Sequence, residues 1–241
     1  MSLINMFNLI HESLQGKASD PIGILSQVDR ASLLRKLKKT KGGIPKTLRC
    51  TNKTMEELHL SKMPERDKEN LWEIYARIPK NPAKELPKLL MLKEKYPNVS
   101  VIYNYIAMAY GLDGQNENQL KALKDTIALF PNYLFGKISL CEYYINRDEH
   151  KKVPKVLNNK FELYMHMPPS VKLFHASEVR SFHGVVGRYY LRANRINRAL
   201  FCYFILADID PEHWSTKQLA GEIVCREIST LQQNMQKRRQ W

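Results

Sequence analysis

The chain is 241 residues long, 44% hydrophobic and 26% charged, the composition of a folded globular protein and not of a disordered or fibrous one. No apolar run approaches the roughly 18 residues a membrane-crossing helix needs, so no transmembrane segment is expected. Its 38 lysines and arginines against 24 acidic residues leave a net charge of +14, a sign of a polyanion partner such as nucleic acid or an acidic membrane face.

The opening stretch, MSLINMFNLIHESL, has no basic start and is interrupted by Asn5 and Asn8, which argues against a cleavable signal peptide. Leu3, Phe7, Ile10 and Leu14 recur at helical spacing after Ser2 and predict a first helix. Asp20-Pro21, an N-cap followed by proline, predicts a second helix running through SLLRKLKK to a stop at Gly42-Gly43. Residues 30–53 hold Arg30, Arg35, Lys36, Lys38, Lys39, Lys41, Lys46, Arg49 and Lys53 and no acidic residue. With Lys237, Arg238 and Arg239 near the end, they account for +12 of the +14. Residues 41–64 read as a loop with one short helix at the capping box Thr54-x-x-Glu57. No Phe, Trp or Tyr lies between Phe7 and Trp72, while the remaining 22 of 23 lie from Trp72 onward. Aromatics carry much of a core's buried area, so residues 1–62 are expected to be a basic, aromatic-poor helical arm, and residues 63–241 the folded domain.

From about residue 66 the pattern is helix after helix, punctuated by Pro, Asn and Gly, with no alternation long enough for a strand. NPAKELPKLLMLKEKYPN, residues 117–130 and residues 196–209 each predict one helix closed by a proline. Leu120, Leu123 and Ile127 mark the buried stripe of the second of these. Val171, Phe174, Glu178, Phe182, Val185 and Tyr189 lie on one stripe and predict a single long helix over 170–193. After Pro211, Ser215-x-x-Gln218 reads as the capping box of a final helix, with Leu219, Ile223, Val224, Ile228, Leu231 and Met235 on its apolar side. The fold class expected is all-α.

An internal period underlies these helices. Tyr96-Pro97-Asn98 and Phe130-Pro131-Asn132 end two units whose prolines are 34 residues apart. The unit ending at Pro131 reads Tyr103-x-x-Ile106-Ala107-x-x-Tyr110, then Gly114 and Leu123. The unit ending at Pro211 reads His183-x-x-Val186-Gly187-x-x-Tyr190, then Ala199-x-x-x-Tyr203. Over roughly residues 66–213 the chain resembles the tetratricopeptide-repeat family, in two good units and two degenerate ones. The unit at 134–167 has Met165 where the closing proline belongs and Pro154 early in its second helix. The resemblance implies a right-handed superhelix of antiparallel helix pairs, an α-solenoid, sealed by the final helix as a cap. Small residues (Ala107, Gly187, Ala199) would sit where paired helices cross, with Tyr110, Tyr190 and Tyr203 filling the space between pairs.

Catalytic and metal signatures are missing from the sequence. Cys50, Cys141, Cys202 and Cys225 form no C-x-x-C pair, which excludes the usual zinc spacings and points to reduced thiols in a cytoplasmic compartment. His175 and His183, two helical turns apart, are too widely spaced for an ordinary ligand pair. Lys41-Gly42-Gly43 lacks the rest of a phosphate loop, and no nucleophile-elbow or zinc-protease motif occurs. No enzyme activity and no cofactor are expected.

The family resemblance implies a concave groove lined by the first helix of each pair, at Asn104, Met108, Gly111, Ile138, Glu142, Ile145, Gly184, Arg188 and Leu191. The expected function is a protein–protein interaction module (an adaptor, scaffold or chaperone-like protein) holding a partner polypeptide there. Asn104 and Lys137 beside Glu142 are a poor match to members that clasp a C-terminal carboxylate. The alternative is docking on nucleic acid or anionic lipid through the basic patch of Arg35, Lys36, Lys38, Lys39, Lys41, Lys46 and Arg49. That patch has no interleaved aromatics for stacking single-stranded bases.

Overall fold

A computed structural model describes residues 20–40, 48–52, 60 and 63–239, the side chains at 231, 238 and 239 excepted. In chain order the helices are α1 (Pro21–Ser26), α2 (Arg30–Lys38), α3 (Glu65–Arg77), α4 (Pro82–Lys95), α5 (Ser100–Leu112) and α6 (Asn116–Leu129). There follow α7 (Leu134–Asn146), α8 (Val153–Val156), α9 (Ala176–Arg192), α10 (Ile196–Ile209) and α11 (Trp214–Arg239). Two three-residue strands, β1 (Arg49–Thr51) and β2 (Leu173–His175), are minor additions to a mainly helical chain. No helix among the described residues is long and apolar enough to cross a membrane.

The chain divides into two compact units, one formed by Thr51–Glu178 and the other by the described residues up to Cys50 together with those from Val179 onward. This division differs from the expected boundary at residue 62, because the basic N-terminal segment belongs with the C-terminal helices. The helix expected near Leu3–Leu14, the glycine stop at 42–43 and the capping box at Thr54 lie outside the described residues.

In the 51–178 unit the helices keep a fixed interval. First helices begin at residues 65, 100 and 134, and second helices at 82 and 116. Proline sets the ends: Tyr96 and Phe130, each preceding a proline, leave the helical region at φ −129° and −127°. Gly114 takes φ +76° in the turn from α5 to α6, a left-handed geometry a Cβ would strain. Leu71, Ile74, Ile78, Leu89, Ile102 and Ile106 form the core between α3, α4 and α5. Buried Glu85 is held by Arg77 at 3.3 Å and Lys88 at 2.9 Å. The interval fails after α7. The expected second helix is reduced to a 3-10 turn at His150–Lys152 and the single turn α8, and left-handed Asn158 and Asn159 end it.

The helix expected over 170–193 starts only at Ala176, because residues 173–175 are extended. Side chains at that point satisfy the free amides of a helix start: Glu178 accepts from the His175 amide at 2.9 Å, and the His175 ring accepts from the Ser177 amide at 3.2 Å. In the same way α11 begins at Trp214, one residue before the predicted cap, where His213 Nδ1 accepts from the Ser215 amide at 3.3 Å. The helices α6 and α10 follow their expected bounds within one residue, and α4 occupies 82–95 of the expected 81–98 stretch.

The second unit shows what the N-terminal segment does. Instead of one helix after Asp20-Pro21 there are two, each with an aspartate cap. Asp20 accepts from Ile22 and Gly23 amides at 3.1 Å, and Asp29 accepts from Ala31 and Ser32 at 2.9 and 3.1 Å. α1 packs on α11 and α2 packs on α10, with Leu25 and Leu37 fully buried. Arg30 fastens the start of α2, 2.7 Å from Asp208 and 4.3 Å above the Phe204 ring. Residues 20–40 are thus a built-in part of this unit and not a separate arm. Leu37→Ala is expected to destabilise the protein by about 2–5 kcal/mol, measurable by urea unfolding, since it empties a fully buried leucine site. A change below about 0.5 kcal/mol, the size of a surface substitution, would show α2 undocked in solution.

Candidate functional site

In the 51–178 unit, α3 reads ERDKENLWEIYAR. Leu71 and Ile74 turn inward and are fully buried, so the residues next to them, Trp72 and Tyr75, turn out and stay 43% and 41% exposed. Both meet Tyr105 of α5. The Trp72 and Tyr105 ring centroids are 6.3 Å apart edge-on, and Tyr75 stacks on Tyr105 at 4.5 Å. Asn104 precedes Tyr105, and its Oδ1 is buried with no hydrogen-bond partner among the described residues. A buried acceptor left unpaired costs about 1–3 kcal/mol, so it favours a ligand that brings a donor. Half-buried Met108 lies one turn on from Asn104, and Leu112, 52% exposed, ends the helix. An open depression of about 680 Å³ on α3 is lined by Pro64, Arg66, Asp67, Glu69, Asn70, Glu73 and Lys95.

The other groove candidates are placed differently. In the same unit Glu142 is half-buried, while Ile138 and Ile145 are buried. Lys137 is half-buried, and desolvation with Lys160 nearby lowers its pKa. Gly111 is packed, since a Cβ there would fall 2.2 Å from Gln119 Nε2.

In the second unit Gly184, Arg188 and Leu191 are all buried, because α11 lies on that side of α9. A Cβ on Gly184 would sit 3.6 Å from Ser215, and one on Gly187 2.5 Å from Leu219 Cδ2 and 3.0 Å from Cys202 Cβ. Arg188 Nε donates to Glu222 at 2.7 Å, with Arg192 at 3.4 Å from the same carboxylate. Arg226 donates to the Leu191 carbonyl at 2.7 Å and to Asn194, the left-handed residue ending α9, at 2.8 Å. These contacts advance together along both helices, so α9 and α11 run parallel. The three residues therefore form a packing seam and offer no open lining.

Of the basic patch, Arg35, Lys36 and Lys38 are exposed on α2, Lys39 is exposed at its C-cap and Arg49 is exposed in β1, while Lys41 and Lys46 lie outside the described residues.

No group of three or more His, Cys, Asp or Glu among the described residues could hold a metal. Buried Cys141 has its thiol pKa pushed up by desolvation, away from reactivity. His175 lies in β2 and not on a helix, so the helical spacing to His183 does not apply. His183 is buried, donates from Nδ1 to the Val179 carbonyl at 3.1 Å, and burial lowers its pKa to about 4. Compared with family models, curated proteins and solved structures, the chain finds no match in any of the three.

Two tests follow from this geometry. His183 is neutral in the folded state and takes up its proton only near pH 4, whereas the unfolded chain does so near 6.5. Its contribution to stability is therefore present above about pH 6.5 and is lost as pH falls toward 4, at about 1.4 kcal/mol per pH unit. Urea unfolding at a series of pH values should show that slope, and His183→Gln should flatten it. Gly187→Ala should destabilise through the Leu219 and Cys202 clash, whereas Gly221→Ala, with nothing within 4 Å, should gain up to about 1 kcal/mol in helix propensity. Equal shifts for the two alanines would contradict the close α9–α11 approach.

Proposed function

We propose that the protein is a tetratricopeptide-like, non-enzymatic interaction module that holds an extended stretch of partner polypeptide on the α3–α5 face of its 51–178 unit. The reading rests on Asn104: a buried acceptor without a donor among the described residues, on the helix that carries Tyr105 and faces Trp72 and Tyr75. An extended peptide supplies both needs, a backbone N–H for the amide oxygen and an apolar or prolyl side chain for the exposed rings. Trp and Tyr are the residues most enriched where binding energy concentrates.

The repeat assignment draws support from the 34- and 35-residue steps between first helices, the 34-residue step between second helices and the parallel course of α9 and α11. Stacked helix pairs place successive first helices side by side in one direction. Ile138, Gly184, Arg188 and Leu191 drop out of the binding face, since they are buried. Half-buried Asn104, Met108 and Glu142 remain, joined by exposed Trp72 and Tyr75, which pack against the buried Tyr105 ring. An adaptor role in the cytoplasm suits four free cysteines, two exposed and two buried.

The test is to select peptides from a displayed random library on the full-length protein and measure their affinity by fluorescence anisotropy. Trp72→Ala and Asn104→Ala should each weaken a selected peptide by about tenfold or more, the size expected of a central contact. Lys121→Ala, on the exposed side of α6, should leave affinity unchanged. Peptides whose binding ignores Trp72, Tyr75 and Asn104 alike would refute the assignment of this face.

A further inference from the structure

The +14 charge is unevenly divided between the units. Described residues of the unit holding α1, α2 and α9–α11 include 16 basic and 7 acidic residues, a net +9, whereas those of the 51–178 unit net +3. Within the basic unit, α2 is built so that its charge faces out. Leu33 and Leu37 are spent on packing, and Arg30 is taken up by Asp208 and the Phe204 ring. That leaves Arg35, Lys36, Lys38 and Lys39 exposed within one and a half turns. Arg35 has only a loose contact with Asp29, 3.7 Å away at the surface. Lys36, Lys38 and Lys39 have no partner among the described residues.

We infer that the outer face of α2 is a docking site for duplex nucleic acid, which it grips through the sugar–phosphate backbone without reading base sequence. This inference is independent of the peptide-binding face and involves the other unit. A row of cations on a docked helix is held in place before binding, so it can neutralise adjacent phosphates and release their counterions. A membrane fits the same face less well. A surface-bound amphipathic helix gives its apolar side to the lipid, but here that side is already buried in protein. No large hydrophobic residue of α1 or α2 is exposed to insert into a bilayer. Single strands fit less well too, since no Phe, Trp or Tyr lies between residues 8 and 71 to stack on unpaired bases. Four phosphate contacts at most, with no base readout, make this a weak and strongly salt-dependent site.

The experiment is fluorescence anisotropy of the full chain with a labelled DNA duplex of about 20 base pairs, titrated in salt. Affinity should fall about a hundredfold between roughly 50 and 200 mM salt, as four released counterions require. The triple variant Lys36→Glu, Lys38→Glu, Lys39→Glu should bind more weakly throughout and lose only about threefold over the same range. Lys121→Glu, Lys124→Glu, Lys151→Glu makes the same change in net charge on the other unit's exposed surface and should bind like the parent. Circular dichroism melts of both triple variants check that each is folded. Equal weakening by the two sets would make the binding a net-charge effect and overturn the site. So would a failure of the parent to bind duplex, or binding to phosphatidylserine vesicles in its place.

Discussion

Close approach of helix backbones is the constraint on which this architecture depends. The distance between two packed helices is set by the side chains at their contact, and small residues there let the backbones come closest. At Gly187 even one methyl group would fall 2.5 Å from Leu219 Cδ2 and 3.0 Å from Cys202 Cβ, so those side chains would have to move for α11 to keep its place on α9. Once that distance is set, Arg188 reaches Glu222 and Arg226 reaches the end of α9. The polar contacts follow from the small ones and fix the register along the seam. Ala107 and Ala199, the other small residues expected at such crossings, are both buried.

Helix ends were legible at Tyr96, Phe130, Asp210 and Gly114, where a proline or glycine dictates the backbone locally. Tyr96, Phe130 and Asp210 all leave the helical region ahead of a proline, and Gly114 takes its left-handed turn. Boundaries set by side chains were harder to read. Gln27 and Val28 carry no breaking signal, yet Asp29 caps a new helix because its carboxylate reaches two amides. The start of α9 likewise depends on His175 and Glu178 bonding to nearby backbone, which apolar periodicity does not register. Least legible was the fate of the basic segment, since its partners Asp208 and Phe204 lie some 175 residues further along.

Binding positions divide along the same line. Register identified Asn104 and Met108, which remain available, and equally Gly184, Arg188 and Leu191, which do not. Register describes one helix pair at a time, whereas availability depends on whether another helix lies across it, and α11 does. Register gives no sign of Trp72 and Tyr75, because the sequence around them resembles the repeat pattern only from its second helix onward. The usable signal was local: two large aromatics three residues apart on an otherwise charged helix, each adjacent to a buried aliphatic.

The bond between Arg30 and Asp208 spans 178 residues and lies inside one unit, whereas the other unit is a single uninterrupted stretch from Thr51 to Glu178. The two therefore become able to fold at different moments during synthesis. The continuous unit is complete once its own 128 residues have left the ribosome, and its contacts are mostly between successive helices. The N-terminal helices have by then been made but have nothing to dock on, with Leu33 and Leu37 uncovered until α10 and α11 emerge. Their high positive charge and lack of aromatics then have a second consequence. They keep a segment that must wait for its partner soluble and slow to aggregate while it waits.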